Sequence, residues 1–284
     1  MSEHSHHHGQ ASGHFHTHTT DAELAETLNL DALILGSYLE AATEWAAELA
    51  PDAAIIMDVG AGSGAGTVAL ARRFPQASIT ALDRSAVMLA QTLAAAQEQG
   101  MAGRVDTIEA DLNNAWPASA SADLMWASSS LHELADPERT MKEMFAALNP
   151  GGVLIVIEMD SLPSFLPESM PEGSAVDPGV EGRLHAALAG SGWNQYPEWT
   201  AGLERVGFAV ERRHFPTLGS STPELSARYA RAFLGRMAFA LEGTASSADR
   251  ASLEVLLGTG PESVERRGDL VVRGHRTGWA ARKL

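Results

Sequence analysis

The stretch that most constrains this chain is Ile55-Ile56-Met57-Asp58-Val59-Gly60-Ala61-Gly62-Ser63-Gly64. Ile55 to Val59 is an apolar run of strand length, and three glycines follow at alternate positions. Thr67, Val68, Leu70 and Ala71 then read as the start of a helix. A buried strand, a sharp glycine turn and a helix N-terminus together make a ledge for a nucleotide-like ligand. Glycine lets the backbone come close to such a ligand, and the first turn of a helix presents N–H groups.

Strand-like and helix-like segments alternate from residue 52 onward, which predicts βαβ units and a parallel sheet. Strands are expected at about 55–59, 78–82, 105–109, 123–127 and 153–158, with helices at about 64–74, 85–99 and 137–148. The Leu-Ile-Val-Ile run of the fifth strand suits burial on both faces. Before the sheet, residues 21–49 read as two helices with Asp21 and Asp31 as N-caps, and Pro51 ends the second. After it, residues 160–200 are rich in Pro, Gly and Ser. Helices are expected over about 199–206, 223–243 and 248–257, and a strand over 208–214. Leu270–Val272 and Thr277–Ala281 read as two sides of a final hairpin or strand.

The glycine turn by itself fits two ligand classes. Gly60-x-Gly62-x-x-Ala65 meets a relaxed dinucleotide fingerprint, so NAD and FAD stay open at this point. Either class wants an acid after the second strand for ribose hydroxyls, and Asp83 supplies one.

Five motifs in order narrow the choice. Asp58 to Gly64, then Asp83, then Glu109-Ala110-Asp111-Leu112, then Ser128-Ser129-Ser130-Leu131-His132-Glu133-Leu134-Ala135-Asp136-Pro137, then Leu148-Asn149-Pro150-Gly151-Gly152 resemble the motifs of class I S-adenosylmethionine-dependent methyltransferases. They cover about residues 55–158. Arg276-Thr277-Gly278-Trp279-Ala280-Ala281-Arg282 also resembles the last strand of many actinobacterial-type small-molecule members. The resemblance implies an α/β fold, a Rossmann-like sheet of seven mostly parallel strands with helices on both faces and a helical cap. It implies one domain over 21–284, with cap elements at about 21–50 and 220–262.

The same resemblance implies S-adenosyl-L-methionine as cofactor. Asp58 would meet its ammonium group; Gly60, Ala61, Gly62, Ser63 and Gly64 would pass close to its methionine part and ribose. Asp83 would take the ribose hydroxyls, Arg84 and Met88 would flank the adenine, and Asp111 with the Leu112 backbone would read the adenine edge. Ser128, after the fourth strand, is a further expected cofactor-binding residue. His132 is the expected general base, since its loop lies at the C-terminal edge of the sheet. Tyr38, Trp193, Tyr196, Phe233 and His132 are expected to line a pocket for a small organic acceptor, a secondary metabolite being one such class. An oxidoreductase using NAD or FAD, and a non-catalytic cofactor- or metal-binding protein of this fold, are the alternatives.

Composition bounds the partners. The net charge is −16, with 20 Lys and Arg against 36 acids, which argues against nucleic acid. No apolar run approaches the ~20 residues of a membrane span, and the N-terminus is not signal-like, so cytoplasm is the expected location. The chain has no cysteine, which excludes disulfides and thiolate metal sites. Seven of the eleven histidines fall within residues 1–20, read as a disordered tail from which no catalytic metal site follows. A homodimer is compatible with these features.

Overall fold

The structure is a computed structural model and describes residues 21–118, 121–191, 198–218 and 221–284. Seven strands form one sheet: β1 (Ile55–Val59), β2 (Ser78–Asp83), β3 (Val105–Glu109), β4 (Ala122–Ser128), β5 (Leu148–Met159), β6 (Phe208–Leu218) and β7 (Arg273–Lys283). Their order is β3-β2-β1-β4-β5-β7-β6. The first five strands run parallel, and β7 pairs antiparallel with both β5 and β6. The chain works outward from β1 in one direction and then restarts at β4 beside it. That reversal is a topological switch point, where open α/β sheets leave a crevice at the C-terminal strand ends.

The helices are α1 (Asp21–Leu35), α2 (Ser37–Leu49), α3 (Ala65–Arg73), α4 (Ala86–Glu98), α5 (Pro137–Ala147), α6 (Val180–Gly190), α7 (Thr200–Val206), α8 (Pro223–Ala240) and α9 (Ser247–Leu257). Local chemistry starts several of them. Ser85, Asp136, Thr222 and Ser246 each accept a backbone N–H with the side chain at the N-cap, and Pro137 and Pro223 open α5 and α8.

The two faces of the sheet carry separate cores. Ile56, Trp126, Ile155 and Ile157 pack with Trp45 of α2 and Leu70 of α3 on one face. Met57, Met125, Leu154 and Val156 pack with Met141 of α5 and Leu203 of α7 on the other. The Leu154–Ile157 run is thus buried on both sides, as its composition requires. A third core joins α1, α6, α8 and α9 around Phe165, Tyr229, Phe233 and Leu184.

Several expectations are corrected here. Asp31 does not cap a helix: α1 runs through it to Leu35, and the break comes at Gly36, where a Cβ would collide with the Ala32 carbonyl. Of residues 21–50, only α1 joins the third core; α2 lies on the sheet, with Tyr38, Ala42 and Trp45 buried against it. Residues 180–190 form a helix that the Pro- and Gly-rich composition around them hides. The last strand is one continuous element whose hairpin-like partner is β6, and Leu270–Val272 precedes it.

Candidate active site

The C-terminal ends of β1, β2, β4 and β5 bring Asp58, Asp83, Ser128 and Glu158 to one edge of the sheet. The glycine turn after β1 is tied down from several sides. Gly60 and Ala61 N–H both donate to the Leu82 carbonyl, Gly62 N–H donates to Asp83 Oδ2 at 2.9 Å, and Gly64 N–H donates to the Ala61 carbonyl. The turn therefore offers close backbone approach with four of its N–H groups already engaged. A pyrophosphate placed there would meet two carboxylates where it needs N–H groups. A ligand carrying an ammonium and ribose hydroxyls suits the same surface.

Asp58 is 2% exposed and accepts from Thr67 Oγ1 at 2.6 Å. Burial pushes its pKa up to about 7; the Thr67 hydrogen bond opposes that shift, and the nearby Asp83 adds to it. A bound ammonium would restore the ionised form, so this acid fits the cation expected from the sequence. Asp83 accepts one backbone N–H on each oxygen, from Gly62 and from Ser85 at 2.9 Å. A carboxylate has about four lone-pair sites, so two remain for ribose hydroxyls. Ser63 is buried, and Trp126, paired with Asp58 across β1 and β4, has a buried indole N–H with no hydrogen-bond partner among the described residues.

Past the end of β2, Met88 is buried in α4 and Arg84 is exposed. Asp111 holds its own turn, accepting from Asn113 N at 3.0 Å and Asn114 Nδ2 at 2.9 Å. Leu112 is buried and its carbonyl accepts from Arg139. Helix α1 roofs the ledge: Leu28 lies 3.1 Å from where a Gly62 Cβ would stand, and Asp21 accepts from Ser85 Oγ at 2.5 Å.

The loop after β4 is strained and anchored. Ser129 has φ of +53°, the one non-glycine residue with positive φ among the described residues. Ser130 Oγ donates to the Val59 carbonyl at 2.7 Å, joining this loop to the glycine turn. His132, whose imidazole is 5% exposed, places Nδ1 2.7 Å from Glu158 Oε2 and Nε2 3.4 Å from Glu133 Oε1. Burial disfavours its charge, but Glu158 and Glu133 outweigh burial and lift the pKa to about 10. The ring is an imidazolium at neutral pH, with both nitrogens donating. Glu158 is 1% exposed, and its Oε1 has no hydrogen-bond partner among the described residues.

Of the expected pocket residues, Tyr38 reaches the site, with its hydroxyl 3.4 Å from Ser128 Oγ. Phe233 packs inside the third core against Phe165 and Tyr229. Trp193, Tyr196 and the histidine-rich tail lie outside the described residues. Glu158, Asp31 and Arg276 are the functional candidates that sequence reasoning missed. Glu158 carried one signal, a lone acid closing an otherwise apolar strand; Asp31 carried none, because its partners are distant in sequence. Among the described residues no group of three or more His, Asp or Glu is arranged to hold a metal ion, and no helix is long and apolar enough to cross a membrane.

Comparison with known proteins agrees with this geometry. Residues 56–152 match the family model described as a methyltransferase domain. Trans-aconitate 2-methyltransferase of Variovorax paradoxus is 37% identical over 106 residues, which is 37% of this chain and 39% of the relative. The enzyme of the same name from an Azoarcus strain is 36% identical over 105 residues, with the same two shares. The match thus spans about two fifths of these relatives' length. A phosphoethanolamine N-methyltransferase 2 of Haemonchus contortus, solved with S-adenosylhomocysteine, superposes with a TM-score of 0.53 at 16% identity, covering 93% of this chain and 57% of its own; at that identity the likeness concerns the fold. The motifs, the strand order and the family match agree, and residues 56–152 are a class I S-adenosylmethionine-dependent methyltransferase domain.

Proposed function

We propose that this chain transfers the methyl group of S-adenosylmethionine to a small organic acid held over the ends of β4 and β5. The cofactor supplies an electrophilic methyl: an acceptor lone pair forms the new bond to carbon while the C–S pair returns to sulfur. The chain's own contribution is binding and alignment, which can supply most of the catalysis for such a displacement. Asp58 would hold the ammonium, Asp83 the ribose, and the Gly60–Gly64 backbone the methionine part.

The observation that carries the acceptor reading is the buried contact of His132 Nδ1 with Glu158 Oε2 at 2.7 Å, which favours the charged imidazolium. A base must be neutral before it takes a proton, and this ring is not. A cation beside the cofactor ledge serves a negatively charged acceptor oxygen instead, with Glu133 as the exposed partner that oxygen would replace. A carboxylate needs no deprotonation to accept a methyl group, and the ester it forms releases no proton. The relatives' name, trans-aconitate 2-methyltransferase, describes methylation of a polycarboxylate and supports the same class of acceptor.

Calorimetric titration with adenosylmethionine, adenosylhomocysteine, NADH and FAD tests the cofactor, with binding of the first two alone expected. Transfer from methyl-labelled cofactor to a panel of small acids and phenols tests the acceptor. A rate on acids that stays flat from pH 6 to 9 is expected. A rate that climbs with pH and vanishes in His132→Ala would return His132 to the role of base.

A further inference from the structure

Arg276 stands opposite Met159, the last residue of β5, and so lies at the same sheet edge as Ser128 and Glu158. Its side chain is 1% exposed, a costly place for a permanent charge without a partner. The partner is Asp31, which reaches in from α1. Both Asp31 oxygens lie 2.8 Å from the same nitrogen, Nη2, while the buried Nε has no hydrogen-bond partner among the described residues.

That arrangement is a poor use of a guanidinium. A carboxylate seated on the fork would take Nε and Nη2 through two parallel bonds, and Asp31, tethered to a helix, takes one nitrogen only. Around the same point are two phenols. Tyr229 donates to Asp31 Oδ1 at 2.6 Å, and the Tyr38 ring lies 5.3 Å from the guanidinium, with its hydroxyl at Ser128. The cluster is a cradle for a carboxylate, built at the acceptor edge and filled by one of the chain's own.

We infer that Arg276 anchors a carboxylate of the acceptor, and that Asp31 is an internal stand-in which the acceptor displaces. The inference rests on the proposed methyl transfer to an organic acid and names the residue that selects it. Asp31 shares α1 with Leu28, which lies against Gly62, and with Asp21, which accepts from Ser85. An acceptor acid would inherit the Tyr229 hydroxyl and the free Nε, then leave Asp31 to turn toward solvent with α1.

The test uses the full chain saturated with adenosylhomocysteine, titrated with trans-aconitate, citrate and 4-hydroxybenzoate, and with the trimethyl ester of trans-aconitate as control. At least one acid should bind and the ester should not. Asp31→Ala should bind that acid at least tenfold more tightly, and Arg276→Gln at least tenfold more weakly, with adenosylhomocysteine affinity kept. Unchanged or weaker acid binding in Asp31→Ala, or no binding of any acid, overturns the inference. If Asp31→Ala is too unstable to titrate, its thermal midpoint is followed with added formate or acetate: recovery toward the wild type supports a carboxylate site, and no recovery overturns it. Turnover only on uncharged acceptors, unaffected by Arg276→Gln, would defeat this inference and leave the methyltransferase reading standing. Failure of the wild type to bind adenosylhomocysteine would defeat both.

Discussion

At the scale of single residues, the candidate site places carboxylates among neighbours that hold them by hydrogen bonds and charge. Asp83 keeps two lone-pair positions open beside the glycine turn, so Asp83→Ala should weaken adenosylmethionine binding by about 1–3 kcal/mol through lost charge-assisted hydrogen bonds. Calorimetry of the folded variant checks this, and unchanged affinity would remove Asp83 from the ribose site. The His132–Glu158 pair makes a second prediction. The folded-state pKa of His132, about 10, lies above the ordinary imidazole value of about 6.5. Its stabilising contribution is therefore complete below about pH 6.5 and is lost as pH rises through about 10. Glu158→Gln should cost about 1.5–3 kcal/mol near neutral pH, with the gap to wild type closing above pH 10. Denaturant unfolding at pH 7 and pH 10.5 reads both ends, and an equal gap at the two pH values would contradict the charged pair.

At the scale of elements, the unit β1–turn–α3 shows why a few residues were so informative. Gly64 is the N-cap of α3 with φ of +92°, and a Cβ there would stand 2.7 Å from the Thr92 backbone in α4. Gly64→Ala combines left-handed strain with that collision and should cost about 2–4 kcal/mol. A shift of the urea midpoint too small to measure would mean that α4 moves away freely. The strand ends and the helix starts near Ser85 and Pro137 were legible because each depends on residues within a few positions of one another, whereas Asn149–Gly152, with the look of a turn, belongs to an irregular first part of β5. Helix α6 was not, because its apolar stripe of Val180, Leu184 and Leu188 sits in a segment whose prolines and glycines suggest loop.

At the scale of the whole molecule, three cores divide the labour: two grip the sheet, and the third holds α1, α6, α8 and α9 together over its edge. Phe165 is fully buried in the third, edge-on to Tyr229 at 5.1 Å. Phe165→Ala should cost about 3–5 kcal/mol. Hydrogen exchange should then quicken in α1, α6, α8 and α9 before β1, β4 and β5; uniform quickening would show that cap and sheet open as one unit.

The sequence by itself determined the parallel sheet, its glycine turn and the acids that follow the first two strands, because period, turn chemistry and capping are short-range physics. It also indicated that His132 follows the fourth strand at the C-terminal edge of the sheet, since the order of strands and loops dictates which ends meet. Only the tertiary structure decided the state of that histidine, which depends on Glu158, 26 residues away, arriving at 2.7 Å within a buried edge. The same holds for Asp31 and Arg276, 245 positions apart and joined because α1 folds back over β7. A charge in a protein takes its meaning from what surrounds it in space, and no local pattern encodes that.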